Sequence, residues 1–146
     1  MTRAAIVYRS RTGRTRRYAE AIGAHLRSRG VDASVSSIGE CDLVALADVD
    51  FLFLGCWTDG LMIVLQGPDG PWRAFARALP VLARPRVALF TTYRLATGSM
   101  FANMRAALAT GAMAGRPEAV ELELKSRNGG LSERDRAALD RFVRGG

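Results

Sequence analysis

The strongest constraint in this chain is an alternation. Short apolar runs that read as strands are separated, again and again, by stretches with helical spacing. Ala4–Tyr8, Phe51–Leu54 and Val87–Phe90 are apolar on both faces, as strands covered on both sides must be. Val31–Ile38 alternates like a half-exposed strand, and Val120–Leu124 makes the fifth. Between them, Thr15–Arg29 sets Tyr18, Ala19, Ile22 and Leu26 on one face and meets a stop at Gly30. Asp42–Ala47 predicts one or two helical turns, Trp72–Leu79 a short helix ended by Pro80, and Ser99–Ala109 a fourth helix. Glu133–Val143 predicts the last, with Ser132 as its N-cap. Five strands alternating with five helices argue for an α/β fold: an open, doubly wound, five-stranded parallel sheet with helices on both faces. A length of 146 residues suits one domain over 1–146 and the strand order 2-1-3-4-5.

Composition narrows the class further. With 49% apolar residues the chain can build one sizeable core. No uninterrupted apolar stretch exceeds five residues, which is far too short to cross a bilayer as a helix. Met1-Thr2-Arg3 leads into only five apolar residues before Arg9, so no secretory h-region is expected and the cytosol is the expected compartment. Cys41 and Cys56 have neither the number nor the spacing for a disulfide framework or a zinc site, and they read as buried or half-buried free thiols. His25 sits in a helical stretch beside Ile22 and Leu26 with no second histidine to share a metal.

The net charge of +7 is unevenly placed. Residues 1–30 hold eight arginines (3, 9, 11, 14, 16, 17, 27 and 29) against Glu20, which gives the whole +7, while 31–146 balance 13 basic against 13 acidic side chains. A bias toward arginine over lysine explains the residue type but not the clustering. An anionic ligand or partner near the N-terminal segment follows.

Ligands of doubly wound sheets bind beyond the carboxyl ends of the strands, beside the switch point, which here means the loops after Tyr8, Leu54 and Phe90. The first loop, Arg9-Ser10-Arg11-Thr12-Gly13-Arg14-Thr15, runs straight from a strand into a helix. Free N–H groups and the dipole at the helix start favour an anion there. Gly13 permits close backbone approach, Ser10, Thr12 and Thr15 offer hydroxyls, and Arg11 and Arg14 add charge. Read as structure alone, Ser10 or Thr12 merely caps the helix. Other phosphate loops fail on residues: there is no Gly-Lys-Ser/Thr, no cysteine nucleophile in the loop and no Gly-x-Gly-x-x-Gly. A receiver domain would need acidic residues at the first strand end.

The run Ile6-Val7-Tyr8-Arg9-Ser10-Arg11-Thr12-Gly13-Arg14-Thr15-Arg16-Arg17-Tyr18-Ala19-Glu20-Ala21-Ile22 resembles the FMN-phosphate signature of the flavodoxins, and element order and length extend the resemblance over essentially the whole chain. The resemblance implies a flavodoxin-like fold with FMN as cofactor, its phosphate held by Ser10, Arg11, Thr12, Gly13, Arg14 and Thr15. It also implies that the second loop, Gly55-Cys56-Trp57-Thr58-Asp59-Gly60, runs along the isoalloxazine ring. There Asp59 falls at the usual stacking position and Trp57 comes two residues early. The Asp59-Gly60 peptide is a candidate for a redox-linked flip that would turn the Asp59 carbonyl toward flavin N5; an ordinary Asp-Gly turn is the plain alternative. In the third loop, Thr91, Thr92 and Tyr93 would meet the pyrimidine edge, with Tyr93 or Leu95 as the outer stacker.

Leu61-Met62-Ile63-Val64-Leu65 places five apolar residues beside the expected flavin edge. A second subunit, a redox partner or the domain's own core, if the segment opens the third helix, would cover them. The resemblance thus points to an FMN-binding carrier passing electrons between a reductase and an acceptor, with no acid/base pair or nucleophile near the three loops. One alternative is a small FMN-dependent reductase or oxidase acting on a quinone or tetrapyrrole-like substrate. Another is a flavin-less binding or scaffold module on the same fold. Arginines gathered at one phosphate-sized loop, rather than along a groove with interleaved aromatics, argue against nucleic acid.

Overall fold

A computed structural model describes residues 2–61 and 64–145, with the backbone alone at 59–61, 64, 65 and 117. The elements in chain order are β1 (Arg3–Arg9), α1 (Arg14–Ser28), β2 (Asp32–Ser37), β3 (Phe51–Trp57), β4 (Asp59–Leu61) and β5 (Val64–Gly67). They continue with α2 (Gly70–Ala78), β6 (Arg86–Thr92), α3 (Met100–Ala109), β7 (Val120–Ser126) and α4 (Glu133–Arg144). Five strands form one parallel sheet in the order β2-β1-β3-β6-β7, which is the expected 2-1-3-4-5 counted over that sheet. The antiparallel pair β4-β5 projects beyond the end of β3.

The strand period of two sorts the core into two layers. Ala5, Val7, Leu52, Leu54, Val87 and Leu89 pack toward α2 and α3, where Trp72, Phe75, Met100, Met104 and Leu108 close over them. Ala4, Ile6, Phe51, Phe53, Ala88 and Phe90 face the other way, under Tyr18, Ile22 and Leu26 of α1 and Leu139 and Phe142 of α4. The buried Tyr18 hydroxyl donates to Asp135 Oδ2 at 2.9 Å, and His25 Nε2 lies 2.9 Å from Asp140 Oδ1, so α1 and α4 are tied twice across their shared face. Asp135 also completes a capping box with Ser132, the predicted N-cap of the last helix. Gly30, the predicted helix stop, has φ 81°, a conformation a side chain would disfavour.

Three expectations are corrected. Asp42–Ala47 is not a helix but a bend leading into a 3₁₀ turn, Ala45–Asp48, which leaves four α-helices. Asp42 accepts from the Val44 N–H at 3.1 Å and so competes with helix formation, and only Leu46 of the turn is buried, too little to nucleate a helix. Second, the loop after β3 does not begin at Gly55. The ladder continues through Arg9↔Cys56, Cys56↔Thr91 and Trp57↔Thr92, so Cys56, Trp57, Thr91 and Thr92 are strand residues. Gly55 is there because a Cβ would run into the Phe90 ring. Third, the segment after β3 does not open the third helix: Leu61 pairs with Val64 across a hairpin. The expectation of an apolar docking face at Leu61–Leu65 falls on Met62 and Ile63, which lie outside the described residues, and on neighbours described by backbone alone.

Candidate functional site

The carboxyl ends of β1, β3, β6 and β7 open at one edge of the sheet, and the loops leaving them carry nearly every residue singled out above. After β1 the chain turns at Gly13, whose φ of 96° only glycine adopts freely, and enters α1. The Gly13 N–H donates to Ser10 Oγ at 3.0 Å, which closes the loop. Within α1 the first backbone bond runs from Arg17 N–H to the Gly13 carbonyl. No side chain caps this helix and no acidic residue sits in its first turn, whereas α2 is capped by Asp69 and α4 by Ser132. The N–H groups of Arg14, Thr15 and Arg16 and the positive end of the dipole therefore face the loop unmatched. Thr12 and Arg14 are exposed around them.

Thr15 is oriented differently from the other loop hydroxyls. It is buried, with its hydroxyl 2.6 Å from that of Thr92 at the end of β6. The first turn of α1 packs on the sheet, so the side chain one residue into the helix points inward. Thr91 is likewise engaged: its hydroxyl donates to the Cys56 carbonyl at 2.7 Å and lies 2.8 Å from the Thr58 hydroxyl. These pairs lace the second and third loops together and leave Thr12 as the hydroxyl turned outward. Cys56 is fully buried; burial pushes its thiol well above the usual range, and its sulfur faces Asp69 at 3.7 Å. Cys41 is half-buried, also a free thiol.

A cleft of about 400 Å³ lies between the second and third loops, lined by Arg11, Thr12, Arg14, Trp57, Thr58, Thr92, Tyr93 and Arg94. Trp57, half-buried, is part of its lining. Its indole N–H donates to Asp69 Oδ2 at 2.9 Å, and the Arg11 guanidinium sits over the ring, 5.0 Å from its centroid. Tyr93, also half-buried, lines it too, with Lys125 and Arg127 at 5.9 Å and 5.8 Å from its ring. Leu95 is 59% exposed beyond it. The Asp59-Gly60 pair belongs to β4 rather than to a tight turn, and Gly60 falls where the pairing with β5 becomes irregular.

Asp69, which the sequence reading passed over, organises this edge. Its carboxylate accepts from Arg9 Nε at 2.9 Å, from the Trp57 indole at 2.9 Å and from the Trp72 backbone N–H at 3.2 Å. Burial alone would raise its pKa; the Arg9 guanidinium and the two N–H donors outweigh burial and hold it below the usual carboxylate range. Asp69-Gly70-Pro71 does read as a helix start, since Asp caps and Pro suits the first turn. That Arg9 and Trp57 converge on it could not be read from a line of residues.

A second opening of about 610 Å³ adjoins the first, lined by Thr12, Gly13, Arg14, Arg17, Tyr93, Arg94, Arg127 and Asn128. The loop after β7 is turned by Asn128, whose Oδ1 accepts from the Gly130 N–H at 2.7 Å, and it meets α1 where Arg17 donates to the Asn128 carbonyl at 3.4 Å and where Gly129, at φ 84°, lies against the Arg14 carbonyl. Arg17, Arg94 and Arg127 were absent from the expected site because they come from a second helical turn and from two separate loops.

The comparisons agree with this fold. The flavodoxin domain pattern matches residues 5–113, from the first strand to beyond α3. The chain belongs to the flavodoxin domain family. No curated protein sequence matches it significantly. Among solved structures, the two-electron reduced flavodoxin of Megasphaera elsdenii is 21% identical at a TM-score of 0.73, covering 98% of this chain and 99% of that one. A flavodoxin from the Archaea is 21% identical at 0.67, over 97% and 93%. Rubredoxin oxygen:oxidoreductase from Desulfovibrio gigas is 14% identical at 0.71, covering 99% of this chain but 35% of that longer one. At these identities the likeness shows a shared fold. Among the described residues no helix is long and apolar enough to cross a membrane, and no group of three or more His, Cys, Asp or Glu could hold a metal.

Proposed function

We propose that this flavodoxin-family chain binds FMN at the edge just described and works as an electron carrier between protein partners. The observation that carries the reading is the uncapped start of α1. Three free N–H groups, the left-handed Gly13 and the exposed Thr12, Arg11 and Arg14 form a donor set suited to a phosphate dianion. They open into a cleft whose lining includes two aromatic side chains, Trp57 and Tyr93. FMN, when bound, supplies the one- and two-electron chemistry. The phosphate would lie on the N–H groups of the first turn, with Thr12 as hydroxyl donor and Thr15 as the buried brace that fixes the turn. Trp57 and Tyr93 would flank the ring system, and backbone N–H groups from Thr91 to Tyr93 would meet its polar edge. The described side chains lining the cleft are arginines, threonines, a tryptophan and a tyrosine, with no carboxylate or histidine among them. This favours transfer of electrons over a stand-alone reductase or oxidase.

One observation favours the flavin-less alternative: Arg11 already covers one face of the Trp57 indole. Calorimetry and absorption spectra with FMN, riboflavin and FAD separate the readings. The proposal expects FMN to bind more tightly than riboflavin, by about tenfold or more for the lost phosphate contacts, and FAD to bind less well than FMN. Equal affinity for FMN and riboflavin removes the phosphate cradle, and a protein that stays colourless in excess FMN overturns the reading.

A further inference from the structure

Seven arginines, Arg9, Arg16, Arg29, Arg84, Arg86, Arg105 and Arg136, form ion pairs with Asp or Glu. Of the arginines without such a pair, five converge at the sheet edge. Arg11, Arg14, Arg17, Arg94 and Arg127 line two adjoining openings, and among the described residues none of the five has an ion pair. Arg11 lies over the Trp57 ring, Arg17 donates to the Asn128 carbonyl and Arg127 lies over the Tyr93 ring. Five like charges around one mouth repel one another, and among the described residues no carboxylate pairs with any of them.

A cofactor phosphate accounts for only part of this. It brings at most about two negative charges, leaving roughly +3 at the mouth. Arg17 and Arg127, moreover, line only the second opening, which shares Thr12, Arg14, Tyr93 and Arg94 with the cleft. Lys125 adds a further cation against the Tyr93 ring in that opening, where Arg127 also sits. The exposed Leu95 next to Arg94 gives the patch an apolar point within a charged rim, the arrangement of a protein interface.

We propose that the five arginines, with Leu95, are the docking surface for an acidic redox-partner protein, whose carboxylates engage Arg17, Arg94 and Arg127 beside the cofactor cleft. This rests on the electron-carrier reading and gives it a partner class. Charge of this kind acts on the rate and orientation of encounter, so it should be sensitive to salt.

The test uses dye-labelled decaglutamate and decalysine peptides and a ten-nucleotide oligothymidylate, followed by fluorescence anisotropy on the full chain. Decaglutamate should bind and decalysine should not, with affinity falling about tenfold or more between about 20 and about 200 mM salt. The double variant Arg17→Gln/Arg127→Gln should lose about fivefold or more in decaglutamate affinity. Arg77→Gln/Arg141→Gln removes the same charge from exposed arginines near the C-terminal ends of α2 and α4, at the opposite end of the sheet, and should stay within about twofold of wild type. Equal losses in the two double variants reduce the effect to net charge and overturn the proposal. So does failure of decaglutamate to bind the wild type. Tighter binding of oligothymidylate than of decaglutamate would make the patch a nucleic-acid surface. FMN titration of the same proteins is read separately: lack of FMN binding by the wild type defeats the electron-carrier reading without touching the peptide result.

Discussion

Replacing Asp69 with asparagine isolates the interaction that holds Trp57 at the cleft. Asparagine keeps an oxygen at the position that caps α2 through the Trp72 N–H, so the helix start survives. Its amide nitrogen then stands where Oδ2 accepted from both Arg9 and Trp57 at 2.9 Å. A hydrogen bond to a charged group is worth about 1.5–3 kcal/mol. The Arg9 side chain is 37% exposed, so water replaces most of its share, and the loss falls mainly on the half-buried indole. The net cost is about 2–3 kcal/mol, or about 4–12 °C in Tm for a chain of this size.

Thermal and urea unfolding of Asp69→Asn and Arg9→Gln check this, with Arg9→Gln expected to cost less than about 1 kcal/mol. In a Trp57→Phe background the Asp69→Asn cost should fall by about 1 kcal/mol or more, because the shared bond is already gone. The pH dependence has a definite sign. The carboxylate is held below its ordinary range, so its stabilisation is present above the unfolded value of about 3.9 and is lost as pH falls through the lower folded value. The gap between wild type and Asp69→Asn should therefore narrow below about pH 4. An Asp69→Asn protein within about 0.5 kcal/mol of wild type at neutral pH, or a gap that persists unchanged in acid, would refute the reasoning.

The two loop threonines should behave oppositely: Thr15→Val strands the buried Thr92 hydroxyl and should cost about 1–3 kcal/mol in urea unfolding, while Thr12→Val should leave stability alone and weaken FMN binding about tenfold by calorimetry. Trp57→Ala should raise the emission of bound flavin and weaken its binding, whereas Trp72→Phe, at a fully buried position on the inner face of α2, should do neither; a quenching role for Trp72 would remove Trp57 from the site. Gly55→Ala should destabilise the fold by about 1–3 kcal/mol or block its expression, since the new methyl collides with the Phe90 ring between two paired strands; a variant as stable as wild type would show that β3 and β6 part easily at the site's floor.

The strands and the loop that leads into α1 were readable in the residues because they depend on local periods and on a short contiguous motif. A run such as Phe51–Leu54 has one way to bury both faces, and Ser10 to Thr15 are neighbours in the chain before they are neighbours in space. The weak helix at 42–47 was misread because its pattern was too short to outweigh the Asp42 turn. Strand ends were misplaced for a similar reason: whether Cys56 and Trp57 continue a ladder depends on Thr91 and Thr92 across the sheet, more than thirty residues away. What only the tertiary structure decided are the convergences. It set Arg9 and Trp57 on Asp69, turned Thr15 inward to Thr92, and gathered Arg17, Arg94 and Arg127 around one opening. Each joins side chains from different loops, and their distances are fixed by sheet register and helix docking, quantities that no local pattern of residues carries.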